Sequence, residues 1–322
     1  MEVRIATFNI FWFASSTFIG NQRSPADLSK LQEIIKRLDA DIIVFEEILD
    51  LPVLEDLVAG VPDRSYSLRD QGDRWISSST GSGLKVALAF DSAKLALIEA
   101  GTARNPGEPP ASHGKRDAIA VRVRPRDGGS PLTVIGVHLK SGTLTVGEPV
   151  TADDFTRVVE MEKLTRWIMN LAPIAPNGQA RQAGEPTVLI GDFNAVRGNA
   201  ALTSLSPGGA LAQWSWPDPG FATAVSPDVV PVNLPPAERW TTHVDMKIID
   251  HIIMSPQVKV IDGPWAYAFD RDNSWLQAAG VTQTWFEQLG YTFNPAVGHP
   301  SQVANLHRVS DHRPVLVSVD LT

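Results

Sequence analysis

The feature that most constrains this chain is a set of short apolar runs that end in polar residues. VRIATFNI (3–10), DIIVFEE (41–47), LKVALAF (84–90), AIAVRV (118–123), LTVIGVHL (132–139), TVLIGD (187–192), IIDHIIM (248–254) and VLVSV (315–319) are rich in Val and Ile and have strand lengths. Helical patterns lie between them. The segment 24–38 puts Leu28, Leu31, Ile34, Ile35 and Leu38 on one face, with Ser24 as N-cap and Pro25 at the first helical position. Residues 155–171 repeat the pattern with Phe155, Val158, Val159, Leu164, Trp167, Ile168 and Leu171, and 52–61 predicts a shorter helix. The connectors at 105–115, 172–186 and 226–236 are rich in Pro and Gly. Strands scattered among helices predict an α/β sheet protein with one core, and no break in composition separates a second domain from the first.

Composition narrows the chemistry. Hydrophobic residues make up 43% of the chain, enough for a sizeable core. Cysteine is absent, which removes disulfides, cysteine-bound zinc and thiol nucleophiles from consideration. The formal net charge is −8, which disfavours a globally basic nucleic-acid binder but leaves room for a local basic patch beside a site. The start of the chain carries charge early and does not read as a signal peptide. No apolar run reaches the roughly 20 residues that a membrane-spanning helix needs. A cytoplasmic and an exported protein both fit this pattern.

The polar residues at the ends of the runs form a chemical set: Asn9, Glu47, His138, Asp192, Asn194, Asp250, Asp311 and His312. Strand ends are where a sheet gathers residues that are distant in sequence. Asp192 and Asn194 are two apart, so a strand can hold them on one face. Taken singly, Asp192 reads as a turn former, Asn194 as a helix cap and His138 as a structural histidine. Together, the carboxylates and amides offer oxygen ligands of the kind Mg²⁺ takes when it shares oxygens with a phosphate. A His beside an Asp suits proton transfer near neutral pH. There is no HExxH and no Ser nucleophile elbow, so phosphoester hydrolysis fits better than zinc proteolysis or acyl transfer.

In chain order, ATFNI, FEEI, VHLKSG, GDFNA, IDHIIMS and SDHRP resemble the motifs of the endonuclease/exonuclease/phosphatase superfamily, which includes deoxyribonucleases, abasic-site endonucleases, sphingomyelinases and inositol polyphosphate 5-phosphatases. The resemblance runs from residue 6 to residue 314. It implies a two-sheet β-sandwich flanked by helices, a four-layer αββα arrangement, in one catalytic domain over residues 1–322. It also implies that Asn9, Glu47 and Asp311 lie on the metal side, and that His312 is the catalytic histidine oriented by Asp250. Asp192 and Asn194 match the pair that handles the attacking or leaving oxygen and the phosphate. His138 matches a phosphate-contacting histidine, and Arg116 an arginine that faces the same cleft. The implied reaction is in-line attack by water on a phosphodiester: His312 takes the proton, Asn194 and His138 donate to phosphoryl oxygens, and Mg²⁺ or Mn²⁺ is the cofactor.

Some positions depart from the family pattern. Glu46 stands where the family usually has Gln, and His251 where an aromatic is common. The segment 256–309, with Trp265, Trp275, Trp285, His299, His307 and Arg308, reads as a long insertion that forms a lid or wall over the cleft. For substrate, nucleic acid leads; a lipid or small-molecule phosphodiester is the alternative. A non-catalytic binding or scaffold protein on the same fold is the competing class, and the intact set of Asn9, Glu47, Asp192, Asn194, Asp250 and His312 argues against it. Oligomeric state is not encoded in any of these motifs.

Overall fold

Each strand run is apolar on both sides, and the structure shows why. The computed structural model describes residues 1–13, 23–70, 84–105, 117–141, 152–175, 178–224, 230–231, 242, 248–269 and 309–322. Among them are two sheets packed face to face with helices outside both, so strands of both sheets are covered on either face. The elements run β1 (Glu2–Phe13), α1 (Pro25–Leu38), β2 (Ile42–Ile48), α2 (Leu51–Ala59), β3 (Tyr66–Asp70), β4 (Lys85–Asp91) and β5 (Leu95–Thr102). They continue with β6 (Ile119–Pro125), β7 (Leu132–His138), α3 (Ala152–Met169), β8 (Thr187–Asp192), β9 (Gly220–Ala224), β10 (Val230–Pro231), β11 (Asp250–Met254), β12 (Lys259–Tyr267) and β13 (Val315–Asp320). The first sheet has the order β10-β9-β12-β13-β1-β2-β4-β3 and the second β11-β8-β7-β6-β5.

Period-2 alternation sorts the side chains into layers. On β1 and β2, Ala6, Phe8, Ile10, Ile43 and Phe45 face out and meet Leu31, Ile34, Ile35 and Leu38 of α1 and Leu54, Leu57 and Val58 of α2. Val3, Ile5, Ile42 and Val44 face in and meet Val134, Val188, Ile190 and Ile252 of the second sheet. On that sheet's far side, Ile135, Val137, Leu189 and Ile253 pack against Met161, Leu164, Trp167 and Ile168 of α3. The result is the four-layer αββα order expected from the motifs. α1 starts as its sequence dictates: the Ser24 side chain accepts from the Asp27 N–H, and the Asp27 side chain accepts from the Ser24 N–H, a capping box.

Three features differ from the sequence reading. Phe155, expected on the buried face of α3, is 66% exposed. The inward positions of the first turns are Asp154 and Arg157 instead, because this end of the helix faces backbone that needs hydrogen-bond partners. Second, the segment read as a lid from 256 onward opens with a strand of the first sheet: β12 pairs antiparallel with β13 and parallel with β9, and Trp265 packs against the core outside that sheet. Residues 270–308, with Trp275, Trp285, His299, His307 and Arg308, lie outside the described residues. Third, β3, β5, β9, β10 and β12 are strands that the apolar runs do not mark. Among the described residues, no helix is long and apolar enough to cross a membrane.

Candidate active site

The inner faces of the two sheets change character from one end to the other. On β1 the inward series Val3, Ile5 runs on into Thr7 and Asn9; on β2, Ile42 and Val44 run on into Glu46. On β8 the inward series Val188, Ile190 ends in Asp192, and on β11 Ile252 is followed two positions toward the strand's start by Asp250. Strand register aligns these ends. Asn9 pairs with Glu46 across the first sheet. In the second, Asp192 pairs with His138 on one side and Asp250 on the other. One end of the apolar inter-sheet layer is thus capped by a buried polar cluster. Gly191 permits the close approach just before it: at φ +143°, a Cβ would lie 2.0 Å from the Val137 carbonyl oxygen.

Asp192 is the hub. Its Oδ2 accepts from Asn9 Nδ2 and from Asn194 Nδ2, each at 3.1 Å, and its Oδ1 accepts from the Asn194 backbone N–H at 2.7 Å. His138 Nε2 lies 3.5 Å and His312 Nε2 3.9 Å from the same Oδ2. Burial pushes the Asp192 carboxyl up to about 7, against the opposing pull of His312. His312 Nδ1–H donates to both Asp250 oxygens, at 3.1 and 2.9 Å, so Nε2 is left facing Asp192 and Asp311. Burial alone would lower the imidazole; the charge and hydrogen bond of Asp250, with Asp311 and Asp192, carry it well above its ordinary value. Ser310 links this strand end to β1: its hydroxyl donates to the Asn9 carbonyl and accepts from the His312 N–H.

Glu47 stands at the mouth with the left-handed φ of 63°, which breaks the alternation of β2 and lets consecutive glutamates serve different places. Its Oε1 lies 3.7 Å from His138 Nε2. Glu46 points neither to solvent nor alongside Glu47. It is fully buried between the sheets, where its Oε1 accepts from Thr7 Oγ1. Burial drives its carboxyl well above the ordinary value, only partly offset by the Thr7 bond. His251 is on the opposite face of β11, where its Nε2–H donates to the Ala195 carbonyl and its ring meets Phe193 and Trp216 edge-on. Burial lowers it to about 4, so it is a neutral packing residue.

The structure therefore brings together Asn9, Glu47, His138, Asp192, Asn194, Asp250, Asp311 and His312 from six strands and the segments beside them. Arg116 lies outside the described residues. Two sets of ligand atoms lie within 4.8 Å of one another: Glu47, His138 and Asp192, and Asp192, Asp250 and His312. Since Asp250 is already engaged by His312 Nδ1, the first set is the better candidate cradle for a divalent cation. Asn9 and Asp311, expected as ligands, lie beside this set: Asn9 Nδ2 is on Asp192, its Oδ1 accepts from the Phe11 N–H, and Asp311 Oδ1 is 3.8 Å from His312 Nε2.

Several buried partners escaped the sequence reading. Thr7 lies within ATFNI and Ser310 within SDHRP, but neither residue type stands out as a ligand or a base. Arg23 donates from Nη2 to the carbonyls of Ile10 and Phe11, just past Asn9. Asp154 and Arg157 did leave a signal: positions 154, 157, 161, 164 and 168 share a helix face, but only the last three are apolar.

Against known proteins, residues 6–312 match the endonuclease/exonuclease/phosphatase family. No curated protein matches the sequence. Among solved structures, the human Nocturnin catalytic domain with a bound sulfate anion aligns with a TM-score of 0.59 at 16% identity, covering 100% of this chain and 95% of that one. An endonuclease/exonuclease/phosphatase from Bacteroides vulgatus aligns at 0.56 and 17%, covering 100% of both chains. D. rerio TDP2 complexed with a single-strand DNA product aligns at 0.55 and 11%, covering 99% of each. At these identities the likeness speaks for the fold. Family, fold and the clustered carboxylates and histidines together support a metal-dependent hydrolase of the phosphoesterase type. The chain belongs to the endonuclease/exonuclease/phosphatase family.

Proposed function

We propose that the protein is a Mg²⁺- or Mn²⁺-dependent phosphodiesterase whose substrate is a nucleic acid. The observation that carries this reading is the convergence on Asp192 of groups from both sheets, with an oriented histidine on one side and the Glu47–His138 pair on the other. Glu47, Asp192 and His138, with Asn9 and Asp311 nearby, would hold a cation, which would supply charge neutralisation for the phosphoryl oxygens.

The chain's own residues do the rest. A cation on Asp192 would offset only the smaller share of the charge that raises His312, since Asp250 stays on Nδ1–H; Nε2, facing Asp192, is placed to take a proton from the attacking water. Asp250 keeps Nδ1–H engaged, fixing the ring and its tautomer throughout. The water oxygen bonds to phosphorus as the ester P–O bond opposite it breaks, giving a phosphomonoester and an alkoxide; the alkoxide takes a proton from solvent to leave as the alcohol, and His312 returns its own to solvent. Asn194 Nδ2 has both hydrogens committed, to Leu139 O and Asp192 Oδ2. It stabilises the phosphoryl oxygens by exchanging its bond to Asp192 for one to the substrate, while the Leu139 bond keeps it aimed. His138 Nε2, facing the carboxylates, is placed to do the same or to ligate the cation.

The choice of nucleic acid draws on the family's named nucleases and on the fold shared with TDP2, which was solved with single-strand DNA product. The test is a panel: a chromogenic phosphodiester, plasmid DNA, single-stranded DNA and RNA, and sphingomyelin, each with Mg²⁺ or Mn²⁺ and with chelator. Chelator-sensitive cleavage of nucleic acid is the expected result. Turnover of sphingomyelin alone would move the substrate to lipids, and inertness on every substrate would favour a binding protein on this fold.

A further inference from the structure

We propose that Arg157 and Asp154 of α3, which lie outside the site, are positioning residues that clamp both loops carrying its second-sheet half. This rests on the hydrolase reading above. Arg157 is fully buried, unusual for an arginine. Its Nη1 donates to the Lys140 carbonyl at 2.7 Å, and its Nη2 pairs with Asp154 Oδ1 at 2.5 Å. The same Asp154 oxygen accepts from Asn199 Nδ2 at 3.0 Å. One turn on, Glu160 Oε2 accepts from the Lys140 N–H at 2.9 Å. Both backbone groups of Lys140 are therefore held by α3.

Lys140 follows His138 by two residues, and Asn199 follows Asn194 by five. The segment between the clamped points is itself tied together. The Leu139 N–H donates to the Asp192 carbonyl at 2.9 Å, and Asn194 Nδ2 donates to the Leu139 carbonyl at 3.1 Å. The path from the buried guanidinium to the Asn194 amide is thus one carbonyl, one peptide unit and one further hydrogen bond. A helix that needed only to cover a sheet would place apolar side chains here, as α1 does at Leu31, Ile34 and Ile35. Burying an ion pair instead gains little stability but fixes donors and acceptors in space. α3 holds the Leu139 carbonyl where Asn194 can stay aimed after releasing Asp192.

The test is a double-mutant cycle between Arg157→Met and Asn194→Ala on the chromogenic phosphodiester, with Arg157→Lys in parallel in case the Met variant folds poorly, and with selective labelling of asparagine side-chain amides for NMR. The expected result is that Arg157→Met lowers kcat about 10- to 100-fold, the scale of a small misplacement of a reacting group, with KM changed less than about threefold. In the Asn194→Ala background the same substitution should cost less than about threefold. The Asn194 Nδ2 resonances should move in Arg157→Lys. An equal loss in both backgrounds, with unmoved Asn194 resonances in Arg157→Lys, would overturn the clamp and leave Arg157 as a structural residue. Moved resonances in a protein that hydrolyses nothing would keep the clamp and remove the hydrolase reading.

Discussion

The two ends of the inter-sheet layer are built on the same faces of the same strands and do opposite work. At one end Val3, Ile5, Ile42, Val44, Val188 and Ile190 are wholly buried and pack together in one apolar cluster. At the other, Thr7, Asn9, Glu46, His138, Asp192 and Asp250 are as deeply buried but polar. The apolar end stabilises by removing area from water. The polar end holds carboxyls that burial and neighbouring charge push far from their ordinary behaviour, at a cost in stability. A strand that is correct for folding over its first residues is thus extended, with the alternation unbroken, into a site that folding alone would not favour.

That contrast breaks first at His312. His312→Ala should lower turnover at least about a hundredfold, within the 10²–10⁴ span of general acid–base catalysis, with the melting temperature little changed. Comparable losses of activity and stability together would mean that the polar end supports the fold after all. Ile190→Ala at the apolar end should do the reverse. A loss of about 2–5 kcal/mol in chemical denaturation is expected, with kcat of the folded fraction within about twofold.

His251 lies outside the inter-sheet layer and gives a control in pH. Its folded value is lowered to about 4, so the unfolded chain binds more protons between pH 6.5 and pH 4. Stability should fall as pH drops through that window, by on the order of 3 kcal/mol from this residue. Urea titrations of His251→Gln across the window should show a flatter profile; an unchanged slope would assign the acid sensitivity elsewhere. The smallest effect is expected at Glu46. Its raised value means that the folded state holds a proton the unfolded chain has lost above about pH 4.5, so its contribution declines as pH rises. Glu46→Gln should therefore stabilise the protein by about 1–2 kcal/mol at pH 8 and by less at pH 5, read from denaturation midpoints. A variant less stable at pH 8 would show that the buried carboxyl is ionised and useful there.

Much of this was legible in the sequence because the central strands are covered on both faces and so read as unbroken Val/Ile runs. The strands that escaped lack that signature. β5 is half-buried, with Ile98 at 42% exposure, and β12 is broken by register shifts at Val260/Asp262 and Asp262/Trp265. The site was legible as a set of residue types, since each motif lies in or beside a strand run. What the sequence did not show was which face each side chain takes. Glu46 and Glu47 are neighbours, yet only the positive φ at Glu47 sends one to the mouth while the other stays between the sheets. The first turns of α3 differ from the apolar pattern for a related reason. Hydrophobicity favours Phe155 for the core, whereas the loops beside it needed the hydrogen bonds of Asp154 and Arg157.

The account stands on one reaction centre assembled from both sheets around Asp192. Its most direct test is hydrolysis of a chromogenic phosphodiester by the wild-type protein, Asp192→Asn and His312→Ala, each with Mn²⁺ or Mg²⁺ and again with chelator. Chelator-sensitive turnover in the wild type, lowered at least about a hundredfold in both variants, is the predicted result. Metal-independent turnover, or near-normal rates in either variant, would contradict it.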